Sequence, residues 1–288
     1  MNLATLDIDS LVRKASGFKP LSTPGLRLSK VMRQSSWTSV ELAEIVDGDV
    51  ELRERVLDWA NRSGSGSQRQ FHNIEGALIR VGPGLALGLA AGLSVRKWMQ
   101  QALPEYGLSE GELWKHSVAA AMAVDLARNF CRTPIAPEAF CAALLHDVGK
   151  LVLASHLHDR SAGSQECVDE SHGLNGQEAE VETFNTCHTE LGARLSAHWQ
   201  LSLGTADGIR FHHSPILGPT AHARRLGNLV ALGDVVATAI GVGCETDPSK
   251  VKFTPAIAGS LGISLEGFDS LCREVQRGLE DGLELLAA

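Results

Sequence analysis

Tyrosine occurs once in these 288 residues, at Tyr106, and aromatic side chains make up only 5% of the chain. Platforms for stacked bases are therefore scarce, and Trp59, Trp114 and Trp199 fall at apolar helical positions that read as core anchors. Cysteine is also sparse. The six residues at 131, 141, 167, 187, 244 and 272 show no close paired spacing, which argues against a disulfide framework and fits reduced thiols in a cytoplasmic protein. A cationic excess is missing: 26 basic residues face 34 acidic ones, for a formal charge of −8. That balance argues against a broad phosphate-binding surface and against nucleic acid as a partner. Residues 1–20 lack the basic start and apolar centre of a signal peptide. Val81 to Val95 is the one candidate for a membrane segment, but its 15 residues are too few to span, so a buried helix is expected and no membrane partner. No alternating strand pattern, phosphate-binding glycine loop, nucleophile elbow or internal repeat occurs.

What the chain does contain is helical periodicity, which predicts an all-α fold. Leu21 to Pro24 reads as a turn. Thr38 or Ser39 can cap a helix through Asp47, and Asp49 another through Leu52, Val56 and Trp59, ending before a Ser/Gly-rich loop at 63–67. Gly84, Gly88 and Gly92 recur every four residues, a smooth stripe that lets a second helix approach closely. A boundary near Pro104 to Leu108 divides the chain into an amino-terminal helical lobe (1–105) and a helical bundle with a carboxy-terminal helix (106–288). Ser109-Glu110-Gly111-Glu112 reads as a capping box at the start of the next helix. Pro137 fits the first turn of the helix that follows. Residues 155–186 are polar and read as a long mobile loop. Ser264 caps a last helix with Leu265, Phe268, Leu271, Val275 and Leu279 on one face.

Chemistry concentrates in Leu144-Leu145-His146-Asp147-Val148-Gly149-Lys150. An imidazole and a carboxylate together suit divalent metals of intermediate softness, manganese, iron, cobalt, nickel or zinc, with magnesium a further candidate. Adjacent helical residues point about 100° apart, so the pair can share an ion only near a helix end, and Gly149 suggests such an end. Other candidate ligands are spread over the chain: His116, His188, the doublet His212-His213, and Asp234. The bland alternative is a set of histidines and carboxylates hydrogen-bonded to one another, stabilising a bundle without metal.

The order His, His-Asp, His, His-His, Asp on successive helices resembles the HD superfamily of metal-dependent phosphohydrolases. A closer resemblance is to the HDOD family, the HD-related output domains of bacterial signalling proteins. It rests on Leu42 to Leu52, Val56 to Ser63, Ile74 to Gly82, Leu113 to Ser117, and on Glu180, Phe184, His188, Gly192 and Trp199 leading into His212-His213. It covers roughly residues 19 to 240, with departures at Val50, Arg62 and Asn185. The resemblance implies an amino-terminal lobe packed on an HD-type bundle. In it His116, His146, Asp147 and Asp234 would hold one ion, with His188, His212 and His213 as candidate ligands of a second.

Two functions follow from it. The first is a regulatory output module acting through a signalling partner, an upstream sensor or receiver domain as in two-component response regulators, or a bound nucleotide. The alternative is a metal-dependent phosphohydrolase or phosphodiesterase on a nucleotide or cyclic dinucleotide, with Asp147 and Lys150 catalytic. Against the alternative, the glycine-tyrosine-proline segment of cyclic di-GMP hydrolases is absent: His213 is followed by Ser214-Pro215-Ile216-Leu217.

Overall fold

The computed structural model describes residue 11 and residues 21–34, 36–62, 70–160, 176–243 and 253–286. Apart from an isolated bridge between Leu103 and Leu108, the ordered elements among them are helices. The amino-terminal helices are α1 (Thr23–Met32), α2 (Ser39–Asp47), α3 (Val50–Asn61), α4 (Ile74–Val81) and α5 (Pro83–Met99). A 3-10 turn at Pro104–Tyr106 leads into α6 (Glu112–Leu126), α7 (Ala139–Leu145), α8 (Val148–Arg160), α9 (Gly176–Phe184), α10 (His188–His198), α11 (Leu203–Phe211) and α12 (Ala221–Ala239). Two more helices, α13 (Pro255–Leu261) and α14 (Leu265–Leu285), complete the bundle. The fold is all-α, as expected.

Side-chain caps set several of these starts. Thr38 and Glu41 form a reciprocal capping box at α2: the Glu41 amide donates to Thr38 Oγ1 (3.2 Å) and the Thr38 amide to Glu41 Oε2 (2.9 Å). Asp49 accepts from the Leu52 amide at 2.9 Å, and Ser264 from the Gly267 amide at 3.0 Å. The expected box at Ser109 is only half made. Glu112 accepts from the Ser109 amide, but the residue before the helix is Gly111, whose φ of 83° turns the chain sharply into α6. Leu21 to Pro24 forms the entry to α1, where Ser22 caps the helix and Pro24 lies in its first turn. Pro137 stands just outside α7 rather than within it.

The glycine stripe acts as expected and packs against α7. A Cβ on Gly84 would lie 1.4 Å from the Pro137 carbonyl oxygen, and one on Gly88 would lie 2.4 Å from Phe140 Cδ1. Buried apolar residues from both sides of residue 105 belong to one core, and Trp59 packs edge-on against Phe140 across it. Trp59, Trp114 and Trp199 are all buried. Val81–Val95 is not the only stretch to weigh against a membrane: Ala139–Leu157 passes by length and composition, with 83% of that window buried inside the fold, whereas Ile74–Val81 and Pro83–Met99 pass only as a pair bent by 100°. Ala139–Leu157 is apolar because it is the central element of the bundle.

The expected loop at 155–186 needs correction. Residues 155–160 complete α8 and residues 176–184 form α9; the stretch between them, like the loop at 63–67, lies outside the described residues. Polar composition misled here because α9 buries few residues, chiefly Ala179, Glu180 and Phe184.

Candidate metal centre

The His-Asp pair sits where one helix stops and another starts. His146 is the residue after α7, Asp147 lies in the turn, and Val148 opens α8. This break lets neighbouring side chains face one centre, which a continuous helix would forbid. Gly149 is not the cause, since it lies inside α8. A Cβ there would come 1.9 Å from the His188 carbonyl oxygen, so the glycine permits α8 and α10 to touch. His116 lies in the second turn of α6, His188 opens α10, His212 and His213 follow α11, and Asp234 projects from α12.

All seven expected residues come together. His116 Nε2 is 3.1 Å from Asp234 Oδ1 and 3.2 Å from His146 Nε2. Asp147 looks both ways: Oδ2 lies 3.4 Å from His146 Nε2 and 3.9 Å from His116 Nε2, and Oδ1 lies 3.3 Å from His188 Nε2. His213 Nε2 is 3.2 Å from His188 Nε2. His116, His146, Asp147, His188 and His212 are buried, while Asp234 keeps 24% of its side chain exposed and the outer edge of His213 faces solvent.

The other ring nitrogen of four histidines is already committed. Nδ1 of His116 pairs with the Val242 carbonyl (2.8 Å), that of His146 with Ala143 (2.7 Å), and that of His212 with Ile209 (2.7 Å). Nδ1 of His188 pairs with Glu180 Oε2 at 2.7 Å. A carbonyl accepts only from N–H, so these contacts place the proton on Nδ1 and leave the Nε2 lone pairs converging on one another. Converging lone pairs repel unless something electropositive lies between them. His212 Nε2 makes the point most directly, because it is buried with no hydrogen-bond partner.

Electrostatics tell the same story. Burial drives His212 well below the ordinary imidazole range, and His213, His146 and His188 push it further. His146 is lowered by burial, with the His116 ring adding to it against Asp147. For His116 burial is outweighed by its hydrogen bond and charge contact with Asp234, so its pKa rises. Burial would raise the Asp147 carboxyl, but Lys150, 2.8 Å away, and the surrounding imidazoles hold it well below the usual carboxylate range. Asp234 is likewise held low by His116.

Two participants were not singled out as site residues from sequence. Glu180 is fully buried and accepts three hydrogen bonds, from the His188 amide (2.7 Å), His188 Nδ1 and Tyr106 Oη (2.8 Å). The only tyrosine therefore braces, through Glu180, a histidine of the centre. Glu180 carried a signal in its spacing to His188, whereas nothing near Tyr106 could have announced the contact.

The donor set fits divalent metal in two adjoining positions. Ligand atoms of His116, His146 and Asp234 lie within 4.8 Å of one another, as do those of His188, His212 and His213, and of His146, Asp147 and His212. Asp147 can bridge the two. Imidazole-rich sites suit manganese, iron, cobalt, nickel or zinc; magnesium, which prefers all-oxygen octahedra, fits least well.

Comparison with known proteins identifies the fold and the family. A curated relative from Treponema pallidum (strain Nichols), described only as uncharacterized, is 23% identical over 192 residues; the match covers 65% of this chain and 36% of the relative. Among solved structures, an HDOD domain protein of unknown function from Geobacter sulfurreducens superposes with a TM-score of 0.65 at 22% identity, covering 95% of this chain and 97% of that one. A protein provisionally assigned to signal transduction from Marinobacter aquaeolei VT8 gives 0.66 at 21% identity, covering 99% and 67%. One provisionally described as a phosphohydrolase, from Shewanella amazonensis SB2B, gives 0.63 at 21%, covering 96% and 98%. At these identities the likeness is one of fold. The family model for the HDOD domain matches residues 20–215, and with that match the chain belongs to the HDOD family.

Proposed function

We propose that this chain is a bacterial signalling output module of the HDOD type whose bundle is held in its active arrangement by two divalent metal ions, and which acts through a protein partner or under an upstream sensor or receiver domain. His116, His146 and Asp234 would hold one ion, His188, His212 and His213 the other, with Asp147 between them. The observation that carries this reading is the buried, partnerless His212 Nε2 facing other imidazoles whose Nδ1 atoms are anchored. A purely hydrogen-bonded cluster would have used that nitrogen. Membership of a family joined to signalling, and a fold shared with a protein provisionally assigned to signal transduction, support the regulatory role.

A second reading, hydrolysis of a phosphate ester, is favoured by Asp147 and Lys150. Divalent metal would supply Lewis-acid activation of the ester. Lys150, anchored 2.8 Å from Asp147, would offset negative charge on the phosphate. One experiment separates the readings. Protein loaded with manganese or iron is assayed against bis-p-nitrophenyl phosphate and cyclic di-GMP. The regulatory reading expects bound metal without turnover; robust turnover abolished by Asp147→Ala establishes the hydrolase instead.

A further inference from the structure

Away from the metal centre, a cavity of ≈ 460 Å³ opens where α3, α4, α6 and α14 meet. Its apolar lining includes Trp59, Met122 and Leu126, and four arginines surround it: Arg62, Arg80, Arg128 and Arg277. A neighbouring cavity of ≈ 490 Å³ shares Arg80, Val81, Asp125 and Arg128, and runs on past Gly82, Pro83, Gly84 and Leu85 at the start of α5. Three acidic residues, Asp125, Glu274 and Asp281, also line the first cavity. Asp125 is already engaged: it accepts from Trp59 Nε1 at 3.0 Å and pairs with Arg128. Arg128 also donates to the Asp125 and Arg80 carbonyls, and four arginines against three carboxylates leave the lining slightly positive in a chain with a formal charge of −8.

Arg62 follows directly on α3 and lines the first cavity. Its guanidinium lies 4.6 Å from the centroid of the Trp59 ring, and the described residues give it one hydrogen bond, to the Gly278 carbonyl at 2.9 Å. Five N–H donors are present on that group, in a half-buried position against the Trp59 ring. Burial lowers its pKa, against Asp125 and Asp281, which is the strain an incoming anion would relieve. A second, separate feature lies in the adjoining cavity. The 17-residue helix α5 begins there without any side-chain cap, which puts the positive end of its dipole at that cavity.

We propose that the paired cavities form a binding site for a nucleotide-sized phosphorylated ligand. Arg80, Arg128 and the amino end of α5 would take the phosphate, and the body of the ligand would lie over the apolar lining beside Arg62. Cavities of this size hold drug- and nucleotide-sized ligands. Planar guanidiniums both chelate phosphate oxygens and stack on flat rings. Such a ligand would tie the amino-terminal helices to α6, the helix that carries His116, and to α14. This inference does not depend on the metal centre.

The test is titration calorimetry on the full chain in the presence of EDTA, so that no metal-held phosphate contributes. AMP, GMP, ATP, cyclic di-GMP and inorganic phosphate are the probes. At least one nucleotide is expected to bind more than tenfold tighter than inorganic phosphate, and Arg62→Gln and Arg80→Gln should each weaken it at least tenfold. Arg277→Gln, at an exposed position, should weaken it less and tests the site should either of the others fail to fold. No binding of any nucleotide to folded wild-type protein, phosphate binding as tight as the nucleotides, or affinity unchanged in the arginine variants would each overturn the assignment.

Discussion

The two halves of the metal centre are built from similar residues but differ in how well they stand alone. Around His116, His146 and Asp234 the carboxylate lies 3.1 Å from an imidazole, and that contact raises the pKa of His116. This half can hold itself together by protonating one histidine. Around His188, His212 and His213 the carboxylate that faces the ring nitrogens is the shared Asp147, whose Oδ1 lies 3.3 Å from His188 Nε2; Glu180 lies behind His188, on its far nitrogen, and His212 has no partner for Nε2. The second half is thus incomplete without a cation. Protein chemistry can replace a metal with a proton where a carboxylate faces an imidazole, and cannot at a buried nitrogen such as His212 Nε2 that has imidazoles around it and no partner.

The sharpest way to break this contrast is through Asp147, which belongs to both halves. Asp147→Ala should remove both ions and leave Lys150 without its close carboxylate, destabilising the metal-free protein by about 3 kcal/mol, in the range seen when one member of a buried pair is lost. Elemental analysis and urea unfolding read the two effects. Gly88→Leu comes next. The added side chain meets Phe140 on the helix that ends at His146, and overpacking of this kind costs about 1–3 kcal/mol. Metal content should fall in both halves together, because α7 positions the shared break.

Tyr106→Phe should act on one half only. It removes the 2.8 Å hydrogen bond to Glu180, and loss of such outer support costs roughly tenfold in metal affinity. Two-step calorimetric titration should show the weaker, His188-containing site shifted and the other unmoved. Equal shifts in both would dissolve the distinction between the halves.

The smallest effect is the pH dependence of the metal-free protein. His146, His212 and His213 have folded pKa values below the usual imidazole value. The unfolded chain therefore binds more protons as pH falls through about 6.5, and stability is lost on that side. His116, raised by Asp234, works the other way, contributing below that pH and losing its contribution as pH rises through its folded pKa. Three lowered groups against one raised predict a net fall in Tm between pH 7 and 5 in EDTA. Asp147 and Asp234 add a further loss as pH falls through the ordinary carboxylate range toward their lower folded values.

Much of this was legible in the chain because the relevant signals are local. Thr38, Asp49 and Ser264 cap helices through residues three positions away, and the glycine stripe is periodic. The order of histidines and aspartates carried the centre because the ligands come from successive helices, four of them as two adjacent pairs at helix ends. What escaped was set by contacts distant in sequence. Gly149 is glycine because of His188, Tyr106 matters because of Glu180, and α9 was hidden by exposing most of its surface. The capping box at Ser109 failed because Gly111 could take a left-handed turn that delayed the helix.

The most direct measurement is metal stoichiometry. Protein stripped with EDTA and titrated with manganese or iron(II) under anaerobic conditions should bind two ions per chain, and His212→Ala should bind one. Failure of the wild-type protein to bind any ion, or an unchanged stoichiometry in His212→Ala, would contradict the two-ion centre and return these histidines to a structural hydrogen-bonded cluster.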